Sequence, residues 1–120
     1  MISVIIVLKK PTKFLEKNLF YFSKQKNKKF EVILISENDI EINQNFNFKL
    51  KTLKSKTNLP GPKRHLGAEN AQGEILAFID DDCKVDKNWL TNISKLLKKS
   101  DADVITGPQL YEHNYQNNHM

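Results

Sequence analysis

This chain of 120 residues has little of what stabilises small secreted domains or anchors proteins in membranes. Cys83 is its only cysteine, so an internal disulfide and a cysteine-ligated metal cluster are both excluded. No apolar run approaches the ~20 residues needed to cross a bilayer, and residues 2–8 are too short and too β-branched for a signal peptide. We therefore expect a cytoplasmic domain that folds without a disulfide or metal, because this length buries a substantial core.

Arginine is also scarce: Arg64 is the single one, and lysine supplies nearly all of the positive charge behind the net +5. The lysines are scattered, which is typical of a solvated surface. A basic nucleic-acid-binding module is one alternative, but the low arginine content and the lack of interleaved aromatic and basic residues argue against nucleic acid as a partner. Attraction to phosphate groups on a nucleotide or an anionic membrane stays open, and with it peripheral membrane contact.

The apolar residues, 39% of the chain, are concentrated in short segments that predict alternating strands and helices. The predicted strands are residues 2–8, 30–36, 48–53, 74–80 and 102–107, and the predicted helices are residues 13–25, 63–72 and 87–100. Connections of helical length between strands predict an α/β fold: a mostly parallel, Rossmann-like sheet of about five strands with helices on both faces. We assign residues 1–107 to this domain and residues 108–120 to a polar tail.

Proline, glycine and capping residues predict where the regular elements end. Thr12 and Asp86 are candidate N-caps of the first and third helices. Residues 60–62, Pro-Gly-Pro, predict a loop before the second helix. Gly73 is expected to close that helix, since glycine commonly ends helices.

Three consecutive aspartates, residues 80–82, follow directly on the apolar strand at 74–80. Ligands of open parallel sheets bind outside the carboxyl ends of the strands, where these acids are expected to lie. Side chains alternate in an extended segment, so Asp80 and Asp82 can point to the same side and offer oxygen ligands to one Mg²⁺ or Mn²⁺, with a diphosphate completing the shell. The alternative is a solvated turn with helix-capping aspartates.

Four segments, in order, resemble the N-terminal nucleotide-sugar-binding half of a family 2 glycosyltransferase with the GT-A fold. They are ISVIIV at 2–7, FEVILISEN at 30–38, GPKRHLGAENAQGEILAFIDDDC at 61–83 and NWL at 88–90. The resemblance implies an inverting, metal-dependent transfer from a UDP- or GDP-sugar to a saccharide or lipid-linked acceptor, as in cell-envelope polysaccharide synthesis. It also implies that Mn²⁺ or Mg²⁺ is bound through an Asp-x-Asp motif.

The resemblance assigns nucleoside contacts to the ends of the first two strands. Glu37, in the pair Ser36-Glu37 that ends the second strand, would bind the base. Val7, at the end of the first strand, would contact the nucleoside through its backbone and apolar side chain.

The resemblance assigns the diphosphate and metal to charged residues farther along the chain. Arg64, with Lys63 beside it, would contact the diphosphate, and a helix N-terminus there would favour an anion. A solvent-facing pair in the first helical turn is the alternative. Asp82 would ligate the metal together with Asp80, and Asp80 or Asp81 would contact the ribose or a metal-bound water.

A general base is missing from this assignment. In the family it is a carboxylate beyond the fifth strand, and residues 108–120 contain one acid, Glu112, with no motif around it. We therefore expect a domain truncated before the acceptor half, with weak or no transfer activity by itself. A haloacid dehalogenase-like phosphatase is a second alternative, but its Asp-x-Asp usually lies on the first strand, with Thr or Val where this chain has Lys84.

Overall fold

A computed structural model describes residues 1–8, 15–81, 83–99 and 110–111 of the chain. The strands are β1 (Ile2–Val7), β2 (Phe30–Ser36), β3 (Lys49–Lys54), β4 (Ile75–Asp80), β5 (Cys83–Lys84) and β6 (Leu110–Tyr111). The helices are α1 (Leu15–Ser23), α2 (Pro60–Glu69) and α3 (Trp89–Lys99). Within this part of the chain no helix is both long and apolar enough to cross a membrane.

Four strands form a parallel sheet in the order β3-β2-β1-β4, which confirms the predicted α/β fold. β1 and β2 are almost entirely buried, because a central parallel strand is covered on both faces and can be apolar throughout. β3 is the half-exposed edge strand that its alternating sequence predicts. The sheet has four described strands rather than about five, and the predicted strand at 102–107 lies outside the described residues. β5 and β6 form a separate antiparallel pair.

Helices cover both faces of the sheet, as the alternation of elements predicts. Leu15, Leu19 and Phe22 of α1 pack with Leu90 of α3 in the larger apolar cluster on one face. On the other face α2 lies against β1 and β2, where Gly67 makes the approach close. A Cβ at Gly67 would lie 2.7 Å from Ile5 Cγ2 and 2.8 Å from Ile35 Cδ1, so the glycine serves helix packing.

The predicted bounds of α2 are wrong by three residues at each end. Pro60 and Pro62 lie inside the first turn rather than in a loop, since a helix needs no N–H from its first residues and proline already has a helical φ. The helix ends at Glu69, where Asn70 Nδ2 donates to Leu66 O at 2.9 Å. Gly73 therefore does not end the helix.

The other two helices are shorter than predicted but lie in the expected places. α1 is described from Leu15 onward, and the candidate cap Thr12 lies outside the described residues. α3 begins at Trp89, just after a turn in which Asp86 Oδ1 accepts a hydrogen bond from Asn88 N at 2.9 Å. Asp86 therefore stabilises the turn that leads into α3, but it lies three residues before the first helical residue, Trp89, instead of directly preceding it.

A buried polar network fixes the amino edge of the sheet. Ser3 Oγ donates to Glu31 Oε2 at 2.6 Å, and Gln72 N donates to the same oxygen at 2.7 Å. Gly73 N donates to Ser3 Oγ at 2.8 Å, and Lys51 Nζ lies 3.4 Å from Glu31 Oε1. The network joins β1, β2 and β3 to the turn that enters β4, so it helps to set the strand register.

Substitution of Gly73 by Ala should destabilise the fold. An added Cβ would lie 2.5 Å from Met1 O and 2.9 Å from Ser3 N, so backbone would have to move. We expect a loss of ~1–3 kcal/mol in the free energy of unfolding, the usual range for overpacking, measured by chemical denaturation. Gly61→Ala in α2 is the matched control, because a Cβ added there would meet nothing within 4 Å, and it should be neutral or slightly stabilising. Equal stability of the two variants would contradict this account.

Stability should fall in acid because of Glu31. Burial alone would raise the pKa of its carboxyl group, but hydrogen bonds from Ser3 and Gln72, together with Lys51, outweigh burial and lower that pKa. The charged carboxylate therefore stabilises the fold above its ordinary pKa of 4.5, and this stabilisation is lost as pH falls through the lowered pKa of the folded state.

Denaturation curves at several pH values below 5 test this expectation, because Glu31→Gln should flatten the pH dependence. Glu74→Gln is the control. The pKa of Glu74 is also lowered, by a hydrogen bond from the amino-terminal ammonium, but its side chain is 73% exposed. Exposed ion pairs contribute little, so this variant should keep most of the slope. A Glu31→Gln protein with the native slope would refute the assignment.

Candidate functional site

The carboxyl edge of the parallel sheet brings together three of the predicted site residues. Val7 ends β1 and is in register with both Ile35 of β2 and Asp80 of β4. In-register residues of parallel strands share a face, so Val7 and Asp80 lie side by side on the face covered by α2. Glu37 follows β2 directly and is exposed. β2 and β4 are separated by β1, so their ends are about 10 Å apart.

The acidic cluster begins at the last residue of β4. Alternation along this strand buries Ala77 and Ile79 on one face and leaves Leu76, Phe78 and Asp80 exposed on the other. Asp81 is half-buried in the turn that follows, and Asp82 lies outside the described residues. Asp80 therefore presents its carboxylate outward at the carboxyl edge of the sheet.

The side-chain oxygens described at this edge provide only part of a ligand set for a hard divalent cation. Asp80 supplies an exposed carboxylate, the ligand type that Mg²⁺ and Mn²⁺ prefer. In the described ranges no three His, Cys, Asp or Glu side chains come together as a ligand set. A metal held by one or two carboxylates, with water and phosphate completing its shell, requires no such set.

Lys63 is placed differently from both expectations made for it. Its side chain is fully buried, so the alternative of a solvent-facing lysine is wrong. Lys63 Nζ donates to Leu8 O at 2.5 Å and to Asn58 Oδ1 at 2.6 Å. To contact a diphosphate, this ammonium group would have to leave two partners that bind it inside the fold.

Arg64 is exposed beside the same edge of the sheet. The bond from Lys63 to Leu8, the residue after β1, places the first turns of α2 next to the carboxyl end of that strand. Free helix N–H groups contribute less than expected, because Pro60 and Pro62 have none and Lys63 N already donates to Leu59 O. An anion here would therefore be bound by the Arg64 guanidinium rather than by backbone amides.

Two side-chain amides, Asn18 of α1 and Gln25 just beyond the end of that helix, contact the segment that follows β4. Asn18 Nδ2 donates to Asp81 O at 2.6 Å. Gln25 Nε2 donates to Asp86 O at 2.5 Å, and Gln25 Oε1 accepts from Leu90 N at 3.1 Å. No role was predicted for Asn18 from the sequence, although it lies with Leu15, Leu19 and Phe22 on the buried face of α1. Its amide among apolar residues was the signal that could have identified the contact.

Two cavities of the described residues lie away from this edge. One, of about 420 Å³, lies between β3 and the connection before it and is lined by Ile40, Ile42, Gln44, Asn45, Phe46, Phe48, Leu50 and Thr52. A second, of about 410 Å³, lies at the amino edge around Ile2, Glu74 and Leu97. Neither of these two cavities is lined by a predicted site residue.

Solved structures similar to this chain include those of S. aureus TarS. The S. aureus TarS 1–349 structure has a TM-score of 0.69 and 22% identity, covering 85% of this chain and 33% of TarS 1–349. The structures of the same region in complex with UDP-GlcNAc and with UDP have TM-scores of 0.69 and 0.71 at 22% and 23% identity. They likewise cover 85% of this chain, and 32% and 33% of those chains.

A shorter stretch is similar to a Drosophila melanogaster enzyme. Polypeptide N-acetylgalactosaminyltransferase 3 is 43% identical over 44 residues, which are 37% of this chain and 7% of that protein. The chain thus spans a third or less of the length of these proteins. The sequence profile described as Glycosyl transferase family 2 matches residues 3–120, nearly the whole chain. With its parallel sheet and the acids at the end of β4, this chain belongs to glycosyl transferase family 2.

Proposed function

We propose that this chain is the donor-binding part of a glycosyltransferase, which binds a nucleotide-diphosphate sugar at the carboxyl edge of its sheet. The observation that carries the proposal is the placement of Asp80 beside Val7 at this edge, with Arg64 exposed on the neighbouring helix. The family membership and the TarS complex with UDP-GlcNAc support a sugar nucleotide as the ligand. A UDP-sugar and a GDP-sugar fit the proposed contacts equally well.

Different residues of the proposed site bind different parts of the sugar nucleotide. The Val7 backbone, beside Asp80, and Glu37, two strands from β4, bind the nucleoside. Arg64 binds the diphosphate, whose negative charge matches a guanidinium in charge and geometry. Asp80 and Asp82 hold Mn²⁺ or Mg²⁺, and Asp81 contributes to the ribose or to a metal-bound water. Bound there, the metal supplies positive charge that stabilises the leaving diphosphate.

The residues of the proposed donor site account for neither the acceptor nor the general base. An inverting transfer needs a base to deprotonate the acceptor hydroxyl, and we nominate none here. The acceptor is a saccharide or lipid-linked saccharide, used on the cytoplasmic side in cell-envelope polysaccharide synthesis, where the lysine-rich surface would face anionic lipid. A phosphatase is disfavoured because Asp80 ends the fourth strand of the chain, not the first.

Metal-dependent binding of UDP should require Asp82. In calorimetric titrations of UDP and of GDP, with and without Mn²⁺, the native chain should bind one nucleotide more tightly with the metal. In Asp82→Ala the increase in nucleotide affinity that Mn²⁺ brings should be smaller by about tenfold or more, because a carboxylate ligand is removed. Glu41→Ala, which removes an exposed acid far from β4, is the control and should bind like the native chain. Metal-dependent binding that survives Asp82→Ala would refute the site.

Arg64 should discriminate between nucleoside diphosphates and monophosphates. Arg64→Ala should lower UDP affinity about tenfold, since a charge-assisted hydrogen bond contributes roughly 1.5–3 kcal/mol, and should lower UMP affinity less. The ratio of the two affinities, from the same titrations, is the measurement. Lys56→Ala removes another exposed cation and should leave the ratio unchanged. An equal loss for UDP and UMP in Arg64→Ala would contradict a diphosphate contact.

A further inference from the structure

Helix α1 and the residues just after it hold the connection after β4 at several points. Asn18 binds the backbone at Asp81, and Gln25, two residues beyond the end of the helix, binds the backbone at Asp86 and Leu90. Between them, Lys84 Nζ lies 4.8 Å from the centre of the Tyr21 ring. The acidic cluster therefore belongs to a segment whose path is set by α1.

The two amides differ in how well their polar atoms are satisfied. Gln25 is fully buried, and both its Nε2 and its Oε1 have partners, so it is explained as an anchor of the fold. Asn18 is 4% exposed, and its Oδ1 has no hydrogen-bond partner among the described residues. An unsatisfied buried oxygen is unfavourable, since its desolvation is not offset by a hydrogen bond.

Stability alone does not explain an asparagine at this position. Its neighbours on the buried face of α1 are Leu15, Leu19 and Phe22, so a leucine of similar volume would pack among them without an unsatisfied oxygen. What asparagine provides is the bond from Nδ2 to Asp81 O. That oxygen belongs to the peptide that links Asp81 to the next residue, and a peptide is planar, so the bond orients the backbone in the middle of the acidic cluster.

We infer that Asn18 is a positioning residue for the acidic cluster: its bond to Asp81 O fixes the turn directly after Asp80, and so the direction in which the Asp80 carboxylate meets a cation. The inference rests on the proposed function, because it assumes that this carboxylate binds a metal with the donor diphosphate. Residues that orient metal ligands commonly affect metal affinity, although they do not contact the ion themselves.

Asn18→Leu tests the inference with two measurements on the 120-residue chain. Its thermal unfolding midpoint should stay close to that of the native chain, because loss of the unsatisfied oxygen offsets loss of the bond to Asp81 O. The gain in UDP affinity that Mn²⁺ brings should fall about tenfold, at the lower end of the range for residues behind metal ligands, while metal-free UDP affinity stays the same. A purely structural residue would not separate these quantities.

Gln25→Met is the matched control, because Gln25 is a second buried amide that binds the backbone of the same connection. It should lower the unfolding midpoint, since two buried hydrogen bonds are lost, yet keep the Mn²⁺-dependent gain within twofold of native. If the native chain shows the gain and Asn18→Leu retains it, the positioning role is overturned and the proposed function stands. If the native chain binds neither UDP nor GDP with Mn²⁺, the proposed function is overturned, and the inference with it.

Discussion

The parallel pairing of β1 with β4 is the constraint on which the candidate site depends. It brings Asp80 beside Val7, and because β2 pairs with β1 in the same direction, Glu37 emerges at the same edge. A slip of one residue would turn Asp80 to the opposite face, away from α2. The register is supported at the other edge, where Ser3 binds both the Glu31 carboxylate and Gly73 N. The buried network at one edge thus helps to position acids at the other.

Two buried charged side chains hold α2 at both of its ends. Lys63 binds Leu8 O near the start of the helix, and Glu31 accepts from Gln72 N just beyond its end. Such groups are costly to bury unless hydrogen-bonded, and both are. Between them Gly67 lets the helix lie close on β1 and β2. Arg64 is thereby placed on a helix that is fixed against the sheet at three points.

Periodicity and chain order predicted the strands well because a central parallel strand is an unbroken apolar run, as β1 and β2 are. Predictions from the sequence were wrong where one residue type can have two structural roles. Proline both breaks helices and begins them, so the start of α2 was misplaced. Lys63, next to Arg64, was expected to contact the diphosphate or to face solvent, and only the fold shows that it reaches the Leu8 carbonyl. Long-range partners of this kind leave no trace in local sequence.

Asn18 contacts the acidic cluster through a backbone oxygen and not through a carboxylate oxygen. Three adjacent carboxylates repel one another, and a hydrogen bond to their side-chain oxygens would compete with a cation for the same lone pairs. The bond from Asn18 goes to the backbone oxygen of Asp81 instead, which orients the turn while the Asp80 carboxylate stays exposed at the edge. In the proposed site, this anchor would give the turn a defined geometry without occupying a carboxylate oxygen that the metal would need.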